Sequence, residues 1–322
     1  MQGITIPIRK DLDRLEEFFS SALGSGVDFA DSAIELIIQN GGKRIRPVIF
    51  LLSAHLCGSS SSDNYRTAAA IEMIHAASLL HDDVLDDASI RRGSMVVRKR
   101  FGNRTSIVVG DYLWSKGISL IIRENNIDLL NASSCAVERL VAGQLLEMSN
   151  CNKVDMEVET YMKVVEKKTA SLFAMSAEMG AIVGGIQGSH REVLYKYGTE
   201  IGIAYQLCDD LLDYIGGEST LGKSSGQDLR RGIMTYPLIV TLERANRCER
   251  DIIIEGFLSE CPPDDMFRNI CSIMDRYGGI AATRELISKT CFSAKEMIEK
   301  FKPSIERDAL ASLADLVMDS IQ

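Results

Sequence analysis

One acidic run inside an apolar helical segment constrains this chain more than any other feature. His81-Asp82-Asp83-Val84-Leu85-Asp86-Asp87 places four carboxylates within six residues, at the end of an almost wholly apolar stretch. A second run, Asp209-Asp210-Leu211-Leu212-Asp213, has the same D-D-x-x-D pattern and similar apolar flanks. The fold must therefore bury most of two helices that each carry a charged edge.

The spacing of these carboxylates indicates a metal site. Residues four apart share one face of a helix, so the first and last aspartates of each run point the same way. Like charges at this spacing destabilise a helix, and neither run contains Lys or Arg to offset them. Oxygen ligands without His or Cys suit Mg²⁺, which commonly joins carboxylates to substrate phosphates. A solvated acidic face would explain one run alone. Two such runs predict a magnesium diphosphate site that they frame together.

Composition excludes several classes of protein. The 322 residues are 46% hydrophobic and 25% charged, which is typical of a soluble globular protein, and no linker marks a boundary, so we expect one domain over residues 1–322. A net charge of −9 argues against general nucleic-acid binding. Eight cysteines without a C-x-x-C pair favour reduced thiols, and no apolar run is long enough to span a bilayer. We therefore expect a cytoplasmic protein with no stable membrane insertion.

Periodicity predicts helices along nearly the whole chain. Apolar residues recur at helical spacing, and no alternating strand pattern stands out. The predicted helices up to the second acidic run cover residues 8–23, 30–39, 48–56, 66–87, 105–124, 128–149, 156–185 and 190–215. The pattern predicts an all-α, single-domain fold of about a dozen helices around a central cavity.

Cations lie close to the acidic runs in the sequence. Lys43-Arg44-Ile45-Arg46-Pro47 follows Gly41-Gly42 at a helix junction, which suits a compact anion such as a diphosphate. A favourable interaction of basic residues with the C-terminal dipole of the preceding helix would explain this cluster of cations only in part. Arg91-Arg92-Gly93 follows the first run, and arginine suits bidentate phosphate binding. His75 lies two turns before Asp82 and could reach the same cavity, although a buried structural histidine is the commoner case.

Taken in order, these motifs resemble those of trans-isoprenyl diphosphate synthases, specifically the bacterial polyprenyl (octaprenyl-like) diphosphate synthase branch. The resemblance covers roughly residues 35 to 280. It rests on Gly-Gly-Lys-Arg-Ile-Arg-Pro at 41–47, Ile-His-Ala-Ala-Ser-Leu-Leu-His-Asp-Asp-Val-Leu-Asp-Asp at 74–87, Arg-Arg-Gly at 91–93, Lys-Thr-Ala at 168–170 and Tyr-Gln-Leu-Cys-Asp-Asp-Leu-Leu-Asp-Tyr at 205–214.

The resemblance implies a reaction and a set of site residues. Isopentenyl diphosphate would be condensed head to tail with an allylic diphosphate, such as farnesyl diphosphate, by a homodimeric prenyltransferase. The implied metal ligands, for about three Mg²⁺, are Asp82, Asp83, Asp86, Asp209, Asp210 and Asp213. The implied catalytic residues are Asp82, Asp83, Asp86, Arg91, Lys168, Asp209 and Lys223. The implied substrate-binding residues are Lys43, Arg46, His75, Arg91, Arg92, Lys168, Thr169, Gln206 and Lys223. Gln144 and Glu147 would support them.

One position departs from the family pattern. Many members carry a second lysine in the loop after the second acidic run, where this chain has Gly232-Ile233-Met234-Thr235. Lys223 is therefore the more secure contact from that loop.

Product length should depend on residues one turn before the first run. Ala77 and Ser78 lie about 6 Å along the helix from Asp82. Because both are small, the sequence favours a long product of about 30–40 carbons, octaprenyl preferred. The growing tail would extend into an apolar tunnel, and a large side chain deeper in that tunnel would end its growth. The candidates for this tunnel floor are Trp114, Ile118, Met148 and Phe173.

Three alternatives stay open. A geranylgeranyl or other shorter-chain synthase would use the same motifs. A non-catalytic partner subunit of a prenyl synthase would be expected to have lost an acidic run, and both runs are present. A terpene cyclase would not need the second cationic site formed by Lys43, Arg46 and Arg92.

Overall fold

The computed structural model confirms the all-helical prediction. It describes residues 1, 3–39, 42–91, 93–216, 226–259 and 262–321. Three positions singled out above, Gly41, Arg92 and Lys223, lie outside the described residues. No helix in the described ranges is both long and apolar enough to cross a bilayer.

Helices and one short hairpin make up the described chain. The first half contains α1 (Arg9–Ala22), α2 (Asp28–Gln39), α3 (Ile45–Leu56), α4 (Asn64–Leu85), β1 (Ile90–Arg91), β2 (Ser94–Met95), α5 (Val97–Phe101), α6 (Asn103–Arg123) and α7 (Ile127–Asn150). The second half contains α8 (Val158–Val165), α9 (Ser171–Val183), α10 (Ser189–Ile215), α11 (Gln227–Arg230), α12 (Tyr236–Arg244), α13 (Arg247–Leu258), α14 (Asp264–Arg276), α15 (Gly279–Ile298) and α16 (Ile305–Asp319).

The chain forms two compact units. The first contains Met1–Val137, Leu172–Gly198 and Lys295–Leu313, and holds the first acidic run. The second contains Glu138–Ser171, Thr199–Ala294 and Ala314–Gln322, and holds the second acidic run.

Helix α4 carries the first acidic run and lies in the core of its unit. Its residues 67–74 are all buried, as expected for a helix that is apolar on most sides. Gly117 on α6 allows a close approach, since a Cβ there would lie 3.1 Å from the Ala70 carbonyl oxygen. Helix α4 ends at Leu85, two residues before the predicted end, because Asp87 adopts a left-handed φ of 49°. Asp86 still donates its backbone N–H to the Asp82 carbonyl oxygen at 2.8 Å, so the last turn is retained.

Two local features were not predicted. A two-stranded antiparallel hairpin pairs Ile90 with Met95 and Arg91 with Ser94, and strands this short show no periodicity. The helix predicted over 156–185 is interrupted by a π turn at Glu166–Ala170, between α8 and α9. Such turns are rare and occur often at functional sites. This one carries Lys168 and Thr169.

Candidate active site

The first acidic run divides into an outer and an inner part. Asp82 and Asp86 are half-buried, whereas Asp83 is only 1% exposed. Asp83 Oδ1 accepts two hydrogen bonds from Arg91, from Nε at 3.0 Å and from Nη2 at 2.9 Å. Its Oδ2 has no hydrogen-bond partner among the described residues. Asp83 therefore holds Arg91 in place, and the two outer aspartates remain at the accessible edge.

The second acidic run shows the same division in its own unit. Asp209 is exposed, whereas Asp210 and Asp213 are buried. Asp210 accepts hydrogen bonds of 2.6 Å from the Tyr161 hydroxyl at Oδ2 and from Gln206 Nε2 at Oδ1. Asp213 Oδ2 accepts the backbone N–H of Asp228 at 2.9 Å. The buried aspartates thus organise their surroundings, and Asp209 is the accessible carboxylate.

Burial governs the protonation of this network. Burial raises the pKa of the Asp210 carboxyl to about 7, although the hydrogen bonds from Tyr161 and Gln206 act in the opposite direction. Burial also raises the pKa of the Tyr161 hydroxyl well above its ordinary value, and the nearby Asp210 adds to this effect. Tyr161 is therefore a stable hydrogen-bond donor at neutral pH.

The π turn places Lys168 and Thr169 beside other predicted site residues. Lys168 Nζ lies 2.5 Å from Glu147 Oε1, which also accepts a hydrogen bond of 3.3 Å from Gln144 Nε2. Thr169 Oγ1 donates to Gln206 Oε1 at 2.6 Å. Helix α7 can pass close to the backbone of the π turn because residue 143 is glycine. A Cβ there would lie 2.5 Å from the Lys168 backbone nitrogen.

Thr169, Gln206, Asp210 and Tyr161 therefore form one continuous hydrogen-bonded chain. The first three were singled out from the sequence. Tyr161 was not, because it lies 49 residues from Asp210 and no local pattern marks it.

The cations before α3 separate into different environments. Lys43 is exposed, and Arg46 is half-buried in the first turn of α3, whose helix dipole favours anions. Arg46 Nη1 lies 2.9 Å from His75 Nε2, and its guanidinium stacks 4.3 Å from the centre of the Phe173 ring. Since Arg46 can only donate, the proton of a neutral His75 ring must sit on Nδ1. The predicted pair Arg46 and His75 is thus brought together.

Arg44 faces the interior instead. It pairs with buried Glu72 at 2.8 Å and with Glu16 at 3.1 Å, and it donates to the Ile38 carbonyl oxygen. Its contacts are those of a structural residue rather than of a ligand for a diphosphate.

The residues considered for product length also occupy different surroundings. Ala77 is buried, and Ser78 is half-buried, its hydroxyl donating to the His75 carbonyl oxygen at 2.8 Å. Trp114 and Met148 are 40% and 54% exposed on this chain. The Phe173 ring supports Arg46. Ile118, another of the four deeper candidates, is half-buried on α6.

The donor set fits a hard divalent cation. All the candidate ligands are carboxylates, and Asp82, Asp86 and Asp209 are accessible. Within the described ranges, no three His, Cys, Asp or Glu side chains come together closely enough to hold an ion by themselves. Carboxylate oxygens suit Mg²⁺, which takes the rest of its ligands from water and substrate phosphates.

Comparison with known proteins agrees with this chemistry. The family model described as polyprenyl synthetase matches residues 28–274. A short chain isoprenyl diphosphate synthase from Methanothermobacter thermautotrophicus is 37% identical over 89% of each chain. An octaprenyl diphosphate synthase from Haemophilus influenzae is 32% identical, over 96% of this chain and 94% of the relative. The crystal structure of polyprenyl synthase from Caulobacter crescentus, a complex with calcium and isoprenyl diphosphate, superposes with a TM-score of 0.92 at 30% identity, over 98% of this chain and 97% of that one.

The chain therefore belongs to the polyprenyl synthetase family and has the isoprenoid synthase fold. It is a prenyltransferase that condenses isoprenyl diphosphates into a trans-prenyl diphosphate, and the family uses a divalent metal. The relatives range from short-chain to octaprenyl synthases, so similarity alone leaves the product length open.

Proposed function

We propose that this enzyme makes a long-chain trans-polyprenyl diphosphate of about 30–40 carbons, with octaprenyl diphosphate preferred. The reason is that no bulky side chain on α4, one turn before Asp82, would block the growing tail. The observation that carries the proposal is the small, half-buried Ser78 one turn before Asp82, next to the equally small Ala77. A bulky side chain at these positions would stop the growing tail. The octaprenyl diphosphate synthase among the relatives supports the same conclusion.

The metal would be held mainly by the accessible carboxylates Asp82, Asp86 and Asp209, whereas the buried Asp213 would order the backbone at Asp228. We propose about three Mg²⁺ per site, the number that the resemblance to trans-isoprenyl diphosphate synthases implies. When bound, these ions supply positive charge that neutralises the departing diphosphate. The buried pair Asp83 and Asp210 would then act chiefly by positioning Arg91 and the Gln206 network.

The cations of this chain bind and orient the two substrates. Arg91 and Lys168 would donate to the diphosphate of the allylic substrate, with Lys223 from the following loop, and stabilise the charge that develops as its carbon–oxygen bond breaks. Glu147 holds the Lys168 ammonium group for this purpose. Gln206 and Thr169 orient the same end of the site. Lys43, Arg46, His75 and Arg92 would bind the diphosphate of isopentenyl diphosphate.

Carbon–carbon bond formation needs no nucleophilic side chain. The double bond of isopentenyl diphosphate attacks the allylic carbon, and the proton lost in the last step goes to the departing diphosphate. The apolar helices around the acidic runs exclude water, which would otherwise trap the cation as an alcohol.

Product length can be measured directly. Purified protein is incubated with Mg²⁺, farnesyl diphosphate and radiolabelled isopentenyl diphosphate, beside an Asp82→Ala control. A product of about eight isoprene units, absent in the control, is the expected result, because the tail passes Ser78 without obstruction. A geranylgeranyl product would favour the shorter-chain alternative, which the 37% identical short-chain relative supports. Failure to elongate any allylic primer would favour the non-catalytic subunit.

We also propose a homodimer located in the cytoplasm. Exposed apolar side chains support the dimer: Ile107, Trp114 and Ile122 on α6, and Val141, Leu145 and Met148 on α7. The eight cysteines without a C-x-x-C pair support the compartment. Light scattering after size-exclusion chromatography distinguishes one copy from two, and Leu145→Glu is expected to shift the protein towards the monomer.

A further inference from the structure

Residues 88–110 are strongly basic in an otherwise acidic protein. This stretch contains six Lys and Arg residues and no Asp or Glu, although the whole chain carries a net charge of −9. The six cations are Arg91, Arg92, Arg98, Lys99, Arg100 and Arg104. Such local segregation of charge indicates a surface that meets an anion.

Three of these cations are not paired with a carboxylate of the described residues. Arg98 donates to Asp87 at 2.7 Å and to the Ala88 carbonyl oxygen at 3.1 Å, and Arg91 is held by Asp83. Lys99, Arg100 and Arg104 are exposed, and none forms an ion pair with an acidic residue within the part of the chain described. Arg100 only lies over the neighbouring Phe101 ring at 5.2 Å. These three side chains are available to a partner.

The hairpin next to them presents apolar side chains to solvent. Ile90 and Met95 are cross-strand partners, so they occupy the same face of the hairpin. Both are more than half exposed, at 56% and 53%. Neighbouring residues on a strand point to opposite faces, and Arg91 accordingly turns towards Asp83. The apolar face is thus directed away from the acidic run.

Hydrogen bonds tie α5, which carries Lys99 and Arg100, to the base of the hairpin. Helix α5 begins two residues after Met95, and Arg98 on α5 is bonded back to Ala88 at the base of the hairpin. The Val96 backbone N–H also donates to the Ser89 carbonyl oxygen at 3.2 Å. We call Ile90, Met95, Lys99, Arg100 and Arg104 the basic hairpin surface.

We infer that the basic hairpin surface docks this enzyme on an anionic lipid bilayer. Cations attract lipid phosphates, while apolar side chains enter the boundary between headgroups and acyl chains. A nucleic acid would use the cations but would gain little from Ile90 and Met95. The inference concerns binding and does not require the proposed product length. If the product is long, docking would bring it to a phase that dissolves its tail.

The full chain can be tested by sedimentation with vesicles of phosphatidylcholine alone or mixed equally with phosphatidylglycerol. Binding to the anionic vesicles only, weakened by salt, is expected. The variant Lys99→Ala/Arg100→Ala/Arg104→Ala should bind about a hundredfold more weakly, given about 1 kcal/mol per cation near an anionic surface. Ile90→Ser/Met95→Ser should weaken binding about tenfold, because two apolar anchors are lost.

A matched control removes the same charge elsewhere. Lys289→Ala/Lys300→Ala/Lys302→Ala deletes three exposed cations on and after α15, and it should bind like the wild type. All three variants should retain prenyl transfer from soluble substrates without vesicles, which verifies folding independently of docking. Equal losses in the control and the basic variant would overturn the inference, as would undiminished binding of the serine variant. Wild-type binding to neutral vesicles alone would do the same.

Discussion

The Tyr161 hydroxyl donates a hydrogen bond of 2.6 Å to Oδ2 of Asp210, the buried second aspartate of the D-D-x-x-D run on α10. Gln206 occupies the other carboxylate oxygen and is itself oriented by Thr169. Tyr161 thus contacts the second acidic run from a distant part of the chain, and we expect it to position Asp210. A variant that keeps the Tyr161 ring but removes its hydroxyl separates an effect on catalysis from an effect on packing.

Tyr161→Phe removes one of the two side-chain donors to Asp210 while keeping the ring. Because a hydrogen bond to a charged acceptor contributes about 1.5–3 kcal/mol, we expect a kcat about tenfold lower and a higher Mg²⁺ concentration for half-maximal activity. Steady-state kinetics with a Mg²⁺ titration measures both. Tyr112→Phe, which loses the hydrogen bonds of this hydroxyl to the Gly24 carbonyl oxygen and from Lys116 Nζ, should change neither. A wild-type Mg²⁺ dependence in Tyr161→Phe would contradict the positioning role.

Asp82→Asn and Asp83→Asn should fail in different ways. Asp83 is buried against Arg91, so its neutralisation should lower the free energy of unfolding by about 2 kcal/mol or more. Asp82 is half-buried and is expected to bind metal. Its neutralisation should therefore lower kcat about a hundredfold, as the loss of other transition-state stabilising groups does. The free energy of unfolding should change little. Urea denaturation and kinetics distinguish the two. Identical stability and kinetics in both variants would refute the division into inner and outer aspartates.

Ser78→Phe should shorten the product. A ring on the half-buried position one turn before Asp82 would meet the growing tail, whereas Ala77→Phe should mainly destabilise the fold, by about 1–3 kcal/mol, because Ala77 is buried in the core. Chromatographic sizing of labelled products checks the first expectation, and thermal denaturation the second. Ser119→Phe on the exposed side of α6 serves as control. An unchanged product from Ser78→Phe would mean that the tail takes another path.

His55 should make stability depend on pH. Its Nε2 lies 3.0 Å from Asp11 Oδ2, and this hydrogen bond raises the pKa of His55, with a further contribution from the charge of Glu306. The protonated ring therefore stabilises the fold fully below its unfolded pKa of about 6.5, and this stabilisation is lost as the pH rises through the folded pKa.

We expect His55→Gln to reduce the free energy of unfolding more at about pH 5 than at about pH 9, by less than about 1 kcal/mol because the ring is partly exposed. Urea denaturation at the two pH values provides the measurement. In an Asp11→Asn background most of the pH-dependent part should disappear, and the small remainder should come from the charge of Glu306. Persistence of the full pH dependence there would assign the effect to another group.

Helical periodicity accounts for most of the secondary structure that could be predicted from the residues. For α10 the predicted start was one residue late and the predicted end was correct. For α4 both predicted ends were two residues late. The hairpin at 90–95 and the π turn at 166–170 could not be predicted, since two-residue strands and single π turns leave no periodic pattern.

The sequence by itself determined the helical class, the two acidic runs, the nearby cations and hence the family, because these depend on residue type and on spacing over a few turns. Only the tertiary structure decided which aspartates are accessible and which are buried. Asp82 and Asp83 are adjacent and identical in kind, yet one is accessible and the other is enclosed with Arg91. Likewise, Asp210 is paired with Tyr161, Arg46 with His75 and Phe173, and Arg44 with Glu72. Burial and partners of this sort arise from contacts between distant segments, which no local pattern encodes.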